Sequence, residues 1–77
     1  MFKKYFSERL KTLRKNAGLT QVALGKTLEV SGDLIRHIED GSVFASAEVI
    51  LRIADFFNVS IDYLYGRTDN PQISRTA

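Results

Sequence analysis

The stretch TQVALGKTLEVSGDLIRHIEDG, residues 20–41, decides the fold. Read at helical spacing, it divides into two short amphipathic segments. Leu24, Gly25 and Leu28 share one side of the first, and Leu34, Ile35 and Ile38 share one side of the second, the 3, 4 and 7 steps of a helix with a single buried face. Segments this short do not persist alone in water, so each needs the other and a core beneath both. Thr20 and Ser31 stand where N-caps are needed, and Val30 is placed to staple the entry to the second helix. The turn between them is about three residues long, and helices joined so tightly cross steeply and leave the outer face of the second exposed. Two residues make this junction unusual. Gly25 costs about 1 kcal/mol relative to alanine inside a helix, which implies that something must approach it closely. Glu29 occupies a turn position that calls for a left-handed backbone, where glycine is the ordinary choice.

Working outward, Phe6, Leu10, Leu13 and Ala17 fall on one face of a preceding helix over 6–17, and Gly18 is its C′ stop. Arg14 borders that apolar face. It either reaches past it to water or, if desolvated, requires a carboxylate partner. The helix from Ser31 to Asp40 is stopped by Gly41, and Gly32, Asp33, Arg36, His37 and Asp40 lie away from its apolar stripe. Residues 42–45 form a short apolar loop. Ser46 then caps a fourth helix whose Ala47, Ile50, Ile53, Ala54 and Phe57 keep helical spacing. Val59 and Ser60 repeat the staple and cap ahead of a last short helix with Ile61, Leu64 and Tyr65 inward, closed at Gly66. Nothing alternates as a strand does. The expectation is an all-α domain of five helices over residues 1–66, followed by a flexible tail or linker start over 67–77, with Asp-Asn-Pro in it.

Seventy-seven residues with 44% hydrophobic content suit one small domain, near the lower limit at which a core holds without staples. The absence of cysteine leaves no disulfide framework or thiolate metal site, and a reducing cytoplasm is the expected setting. His37, the only histidine, has no second histidine or cysteine to share a metal with, and no cofactor is expected. No apolar run reaches the roughly 20 residues of a membrane span. No carboxylate pair, Ser/His/Asp set or Gly-rich phosphate loop occurs at usable spacing, so an enzyme is not expected. Net charge is +2, unevenly spread: residues 1–18 hold six basic residues and one acid, a net of +5, whereas residues 19–41 hold two bases and four acids, a net of −2. Attraction to a polyanion must therefore come mainly from the first helix.

Three motifs carry a family resemblance: Arg-Lys-x-x-Gly-Leu-Thr-Gln at 14–21, Ile-x-x-Ile-Glu-x-Gly at 35–41 and Asn-Val-Ser-Ile-Asp-Tyr-Leu at 58–64. In this order and spacing they resemble the lambda-repressor-like helix-turn-helix family of phage and bacterial regulators, also called XRE or Cro-like. The likeness covers Phe6 to about Pro71. It implies five helices, with the third lying in the major groove and the protein binding operator DNA as a dimer. Carried over by position, Gln21 looks like the family's phosphate-contacting residue. Gly32, Asp33, Arg36 and His37 fall on positions that face bases, and Arg14 and Glu39 match a pair that commonly forms a buried ion pair between the first and third helices. Departures from the pattern are Gly32, which has no side chain, Asp33, which repels phosphate but accepts from a cytosine amino group, Glu29 at the usual turn glycine, and the apolar Ser42-Val43-Phe44-Ala45 loop where basic residues are usual.

Sequence-specific binding of double-stranded DNA, as a repressor, is accordingly the expected function. Thr20, Gln21, Ser31, Gly32, Asp33, Arg36 and His37 form its contact set, and a homodimer is expected to assemble through Phe56, Tyr63 and Tyr65. The alternative is a helix-turn-helix domain turned to protein binding, as an antitoxin or regulatory partner, which the acidic third helix and the aromatic residues Phe44, Phe56 and Tyr63 suggest.

Overall fold

The computed structural model describes residues 2–72. Five helices lie among them: α1 (Phe2–Asn16), α2 (Gln21–Leu28), α3 (Gly32–Glu39), α4 (Ala47–Phe57) and α5 (Ile61–Leu64). Four of the five starts are built alike. Thr20, Ser31, Ser46 and Ser60 hold extended backbone, and each side-chain oxygen accepts from the N–H three residues on, at Ala23 (3.0 Å), Leu34 (3.0 Å), Val49 (3.3 Å) and Tyr63 (3.0 Å). Such a cap contributes about 1 kcal/mol. Glu29 ends α2 with φ 61° and ψ 40°, the left-handed conformation its place in the turn demands. Asn58 ends α4 in the same region, which asparagine enters more readily than other residues with a side chain.

Leu10, Leu24, Ile35, Ile38, Ile53 and Leu64 are fully buried, so every helix sends at least one side chain to the centre. Phe6, Leu28, Val49, Ala54 and Val59 close the core around them. Three inward assignments made from spacing need correction. Ala17 is exposed beyond the end of α1, and the buried face of that helix includes Ser7 and Arg14 instead. Ala47 is exposed while Val49 is buried, because Ala47 is the first residue past the Ser46 cap and its face of α4 has not yet come round to the core. Ile61 is 39% exposed, and Val59, ahead of the helix, takes the inward place. α1 also begins four residues earlier than its apolar spacing indicates.

α3 is held against the rest at both ends. At its start, Gly25 allows the close approach: a Cβ there would lie 2.7 Å from the Val30 carbonyl oxygen and 3.0 Å from the Gly32 nitrogen, both backbone atoms. At its end stands the ion pair. The Arg14 guanidinium turns inward, where Nε donates to Glu39 Oε2 at 2.6 Å, Nη2 to Oε1 at 3.0 Å and Nη1 to the Leu19 carbonyl at 2.8 Å. The two side chains are 10% and 3% exposed. Hydrogen bonding to the Glu39 carboxylate outweighs burial and raises the Arg14 pKa above its ordinary value. What that contributes to stability is present at every pH below the usual arginine range and is lost only above it. Ser7 Oγ adds a buried bond from α1 to the Ile38 carbonyl at 2.6 Å.

The boundary expected at residue 66 also moves. The Arg67 N–H donates to the Asp62 carbonyl at 2.9 Å, and the Ser60 N–H donates to the Pro71 carbonyl at 2.9 Å. Arg9 on α1 donates through Nη1 to the carbonyls of Tyr63 (2.5 Å) and Thr68 (2.6 Å) and through Nη2 to Asp69 Oδ1 (2.8 Å). Its guanidinium lies over the Tyr63 ring at 4.2 Å. The chain as far as Pro71 is thus folded back onto α1 and α5. Of the expected tail, residues 73–77 lie outside the described residues.

Two substitutions test this framework by urea denaturation. Glu39→Gln keeps the shape but leaves Arg14 charged and uncompensated, so it is expected to cost about 3 kcal/mol, whereas the double variant Arg14→Met/Glu39→Leu is expected to recover most of that loss. A Glu39→Gln midpoint close to wild type would show that the pair contributes nothing. Gly25→Ala sets propensity against packing: alanine favours the helix by about 1 kcal/mol, but the Cβ meets backbone that cannot step aside, and a net loss of about 1–3 kcal/mol is expected. A more stable Gly25→Ala variant would mean that the turn yields.

Candidate nucleic-acid interface

Burial of Ile35 and Ile38 fixes which way α3 faces. The opposite side presents Asp33, Arg36, His37 and Asp40 in successive turns, all well exposed as side chains. They touch one another only loosely. Arg36 Nε lies 3.9 Å from Asp33 Oδ1, Arg36 Nη2 is 3.4 Å from His37 Nε2, and His37 Nδ1 is 3.8 Å from Asp40 Oδ2. Contacts at these lengths in open solvent are weak, so Arg36 and His37 keep donors to offer elsewhere. Asp40 is engaged differently. Its Oδ1 accepts from the Ser42 hydroxyl and, at 2.8 Å, from the Ser42 N–H. These bonds, helped by the neighbouring His37 and Arg36, hold the Asp40 carboxyl below its ordinary value. What the turn gains from that charge is present above the usual carboxylate range and is lost as pH falls through the lowered value.

The start of α2 lies beside the start of α3. A Cβ on Gly32 would come 3.1 Å from both Cα and Cγ2 of Val22, so the open side of Gly32 faces α2 and not the solvent. Among the expected contact residues, Gly32 therefore supplies a close approach and no reaching group. The Thr20 and Ser31 side chains serve as caps, with their residues exposed at the two helix starts. Gln21 is half-buried, and its Nε2 donates to Glu39 Oε1 at 3.1 Å. The carboxylate that holds Arg14 thus also orients Gln21, and the amide nitrogen retains a second hydrogen.

The charge on α1 is smaller at the surface than in the sequence. Arg14 is buried in the ion pair and Arg9 is occupied by the folded-back segment. Lys4, Lys11 and Lys15 remain exposed along α1, with Lys26 on α2. Arg52 is likewise engaged, by the Leu28 carbonyl at 2.9 Å and Glu48 at 2.6 Å.

The aromatic residues expected at a dimer contact separate into two kinds. Tyr63 lies under Arg9, and Tyr65 packs against Phe6 with ring centroids 5.2 Å apart. Phe56 touches Phe57 edge-on yet remains 45% exposed. Leu51, which the sequence reading did not single out, and Ile61, which it placed inward, are also exposed, and they line a groove of about 340 Å³ between α4 and α5 with the buried Ala54 and Val59 and the exposed Asp55 and Asp62. Val22, 59% exposed, was missed as well. Its signal was positional, since two steps place it about 200° round the helix from Leu24 and about 120° from Leu28, at the edge of the buried face beside Gly25.

The helix-turn-helix domain family model matches residues 6–64. The chain is similar to the HTH-type transcriptional regulator PrpR of Mycobacterium tuberculosis, 34% identical over 61 residues that cover 79% of this chain and 13% of that protein. It is similar to RamB of the same species, 32% identical over 69 residues, 90% of this chain and 15% of that one. The chain therefore spans only a small part of those two regulators. With the uncharacterized HTH-type transcriptional regulator YazB of Bacillus subtilis it shares 36% identity over 59 residues, 77% of this chain and 86% of YazB. Among solved structures, the P22 c2 repressor in complex with a synthetic operator matches with a TM-score of 0.73 and 32% identity, over 77% of this chain and 89% of that one. A match of this extent, on a tight α2–α3 junction with the outer face of α3 exposed, makes the chain a member of the helix-turn-helix domain family, of the lambda-repressor-like kind.

Proposed function

We propose that this chain is a DNA-binding transcriptional repressor domain that reads the major groove of double-stranded DNA with the outer face of α3. The observation that carries the reading is the disposition of α3: its Ile35 and Ile38 are fully buried, its ends are fixed, and Arg36 and His37 stand outward with only weak contacts. The resemblance to a repressor solved on its operator supports the same placement. Arg36 offers a fork of donors to guanine O6 and N7, a contact worth about 1–3 kcal/mol of discrimination, and His37 donates to the same acceptors from a ring nitrogen. Asp33 adds selection by penalty, tolerating a cytosine amino group and disfavouring acceptor-only edges. Gln21 and the exposed lysines of α1 hold phosphate, with Thr20 and Ser31 at the helix starts beside them.

The protein acts as a homodimer on two half-sites about 34 Å apart. Phe56, with Leu51 and Ile61 around the α4–α5 groove, offers the apolar area for that contact; Tyr63 and Tyr65 support it from beneath. The setting is the cytoplasm, no cofactor takes part, and the role is binding and not catalysis. Among the described residues no helix is long and apolar enough to cross a membrane. The same groove favours the second reading, a domain that acts mainly by binding another protein.

Duplexes enriched from a randomised pool provide the test. Against an enriched and a scrambled duplex at two salt concentrations, Arg36→Ala is expected to weaken the enriched duplex by about 1–3 kcal/mol with little effect on the scrambled one. Gln21→Ala is expected to weaken both alike with the salt slope unchanged, because a neutral amide displaces no counterion. Ultracentrifugation on an enriched palindromic site should give two protomers per duplex. Equal losses on both duplexes for Arg36→Ala would make Arg36 a phosphate contact, and failure of the wild type to enrich any sequence would favour the protein-binding reading.

A further inference from the structure

Val22 is a large apolar side chain that the fold leaves mostly in solvent. It sits in the first turn of α2, 59% exposed, outside the buried set of Leu24, Gly25 and Leu28. A β-branched residue is a poorer helix former than alanine, and most of its surface here stays in solvent. What distinguishes the position is its neighbour. A side chain on Gly32 would begin 3.1 Å from Val22 Cα and Cγ2 and would cover it. Because residue 32 is glycine, the Val22 methyls stay uncovered beside the first turn of α3, the part of a recognition helix that comes nearest the bases. The next residue along that turn, Asp33, has a side chain 85% exposed, and it repels phosphate. The corner formed by Val22, Gly32 and Asp33 is thus unsuited to the sugar-phosphate backbone and presents an apolar tip. In the major groove the one apolar group on a base edge is the thymine C5-methyl.

We infer that Val22 is a specificity-determining residue that packs on a thymine methyl, with Gly32 carrying no side chain that would cover the Val22 methyls. This inference rests on the DNA-reading function proposed above. It gives the start of α2 a part in base discrimination, whereas the outer face of α3 supplies the hydrogen bonds.

The methyl can be removed from either side of the contact. Duplexes enriched by the wild-type protein are titrated with thymine replaced by uracil at one position at a time, against wild type and Val22→Ala; unchanged urea midpoints check that the exposed substitution leaves the fold intact. The expected result is one thymine per half-site whose replacement weakens wild type roughly fourfold, the worth of one buried methyl, and leaves Val22→Ala unaffected. Uracil effects of equal size in both proteins, or none at any thymine, would overturn the role of Val22 while leaving the DNA-reading function in place. Should the wild type enrich no sequence from the pool, both would fall together.

Discussion

Arg14 and Glu39 are taken out of water together, and the orientation of the recognition helix depends on how completely they satisfy each other. Burying either alone is costly, and the pair persists because two nearly parallel hydrogen bonds join a planar fork to a carboxylate while the remaining donor and acceptor find Leu19 and Gln21. The apolar contacts of α3 with α2 carry no direction and would tolerate some roll of one helix on the other. The fork does not. At the opposite end, the approach of α3 to Gly25 excludes even a methyl group. Between a directional bond at one end and a steric stop at the other, the face bearing Arg36 and His37 has one orientation.

Much of this was legible in the sequence, and the reasons are local. Caps and stops are signalled by single residues, so Thr20, Ser31, Ser46 and Ser60 could be read directly, and the need for a left-handed residue at Glu29 follows from the length of the turn. Gly25 announced a close approach without saying what approached. Periodicity failed where a helix begins or ends. Ala17, Ala47 and Ile61 keep the right spacing but stand at helix ends, where the chain is already leaving or has not yet reached the core, and Val49 and Val59 fill the space. The segment after Gly66 has little apolar content and so carried no signal of order. Its order comes from Arg9, some 60 residues away in the chain, which no local pattern could connect to Thr68 or Asp69. For the candidate site, helix-face reasoning located Asp33, Arg36 and His37, but the tie from Gln21 to Glu39 and the contact of Gly32 with Val22 exist only in three dimensions.

Several cations that a count assigns to the surface are spent internally. Arg9, Arg14 and Arg52 each bond backbone carbonyls within the domain as well as a carboxylate. The arginine fork suits that role because one planar group can join a carbonyl from one element to a carboxylate from another. The surface is left with lysines and a recognition face of mixed sign. On the DNA-reading function proposed above, counterion release, which scales with the phosphates neutralised, would supply a modest share of affinity, and discrimination would fall to groups that touch base edges. A surface of this kind trades general adhesion to nucleic acid for dependence on a fitted sequence.

Arg9 bonds three points within residues 63–69 and covers an aromatic ring, which makes the exit from α5 a bracket and not a swivel. Mechanical load applied to the chain beyond Pro71 would meet first the Ser60 bond to the Pro71 carbonyl, at the start of α5, and then that guanidinium, which passes it to α1. Anything joined there would therefore share the heading of the helix bundle over the first few residues, and a torque on one would be felt by the other.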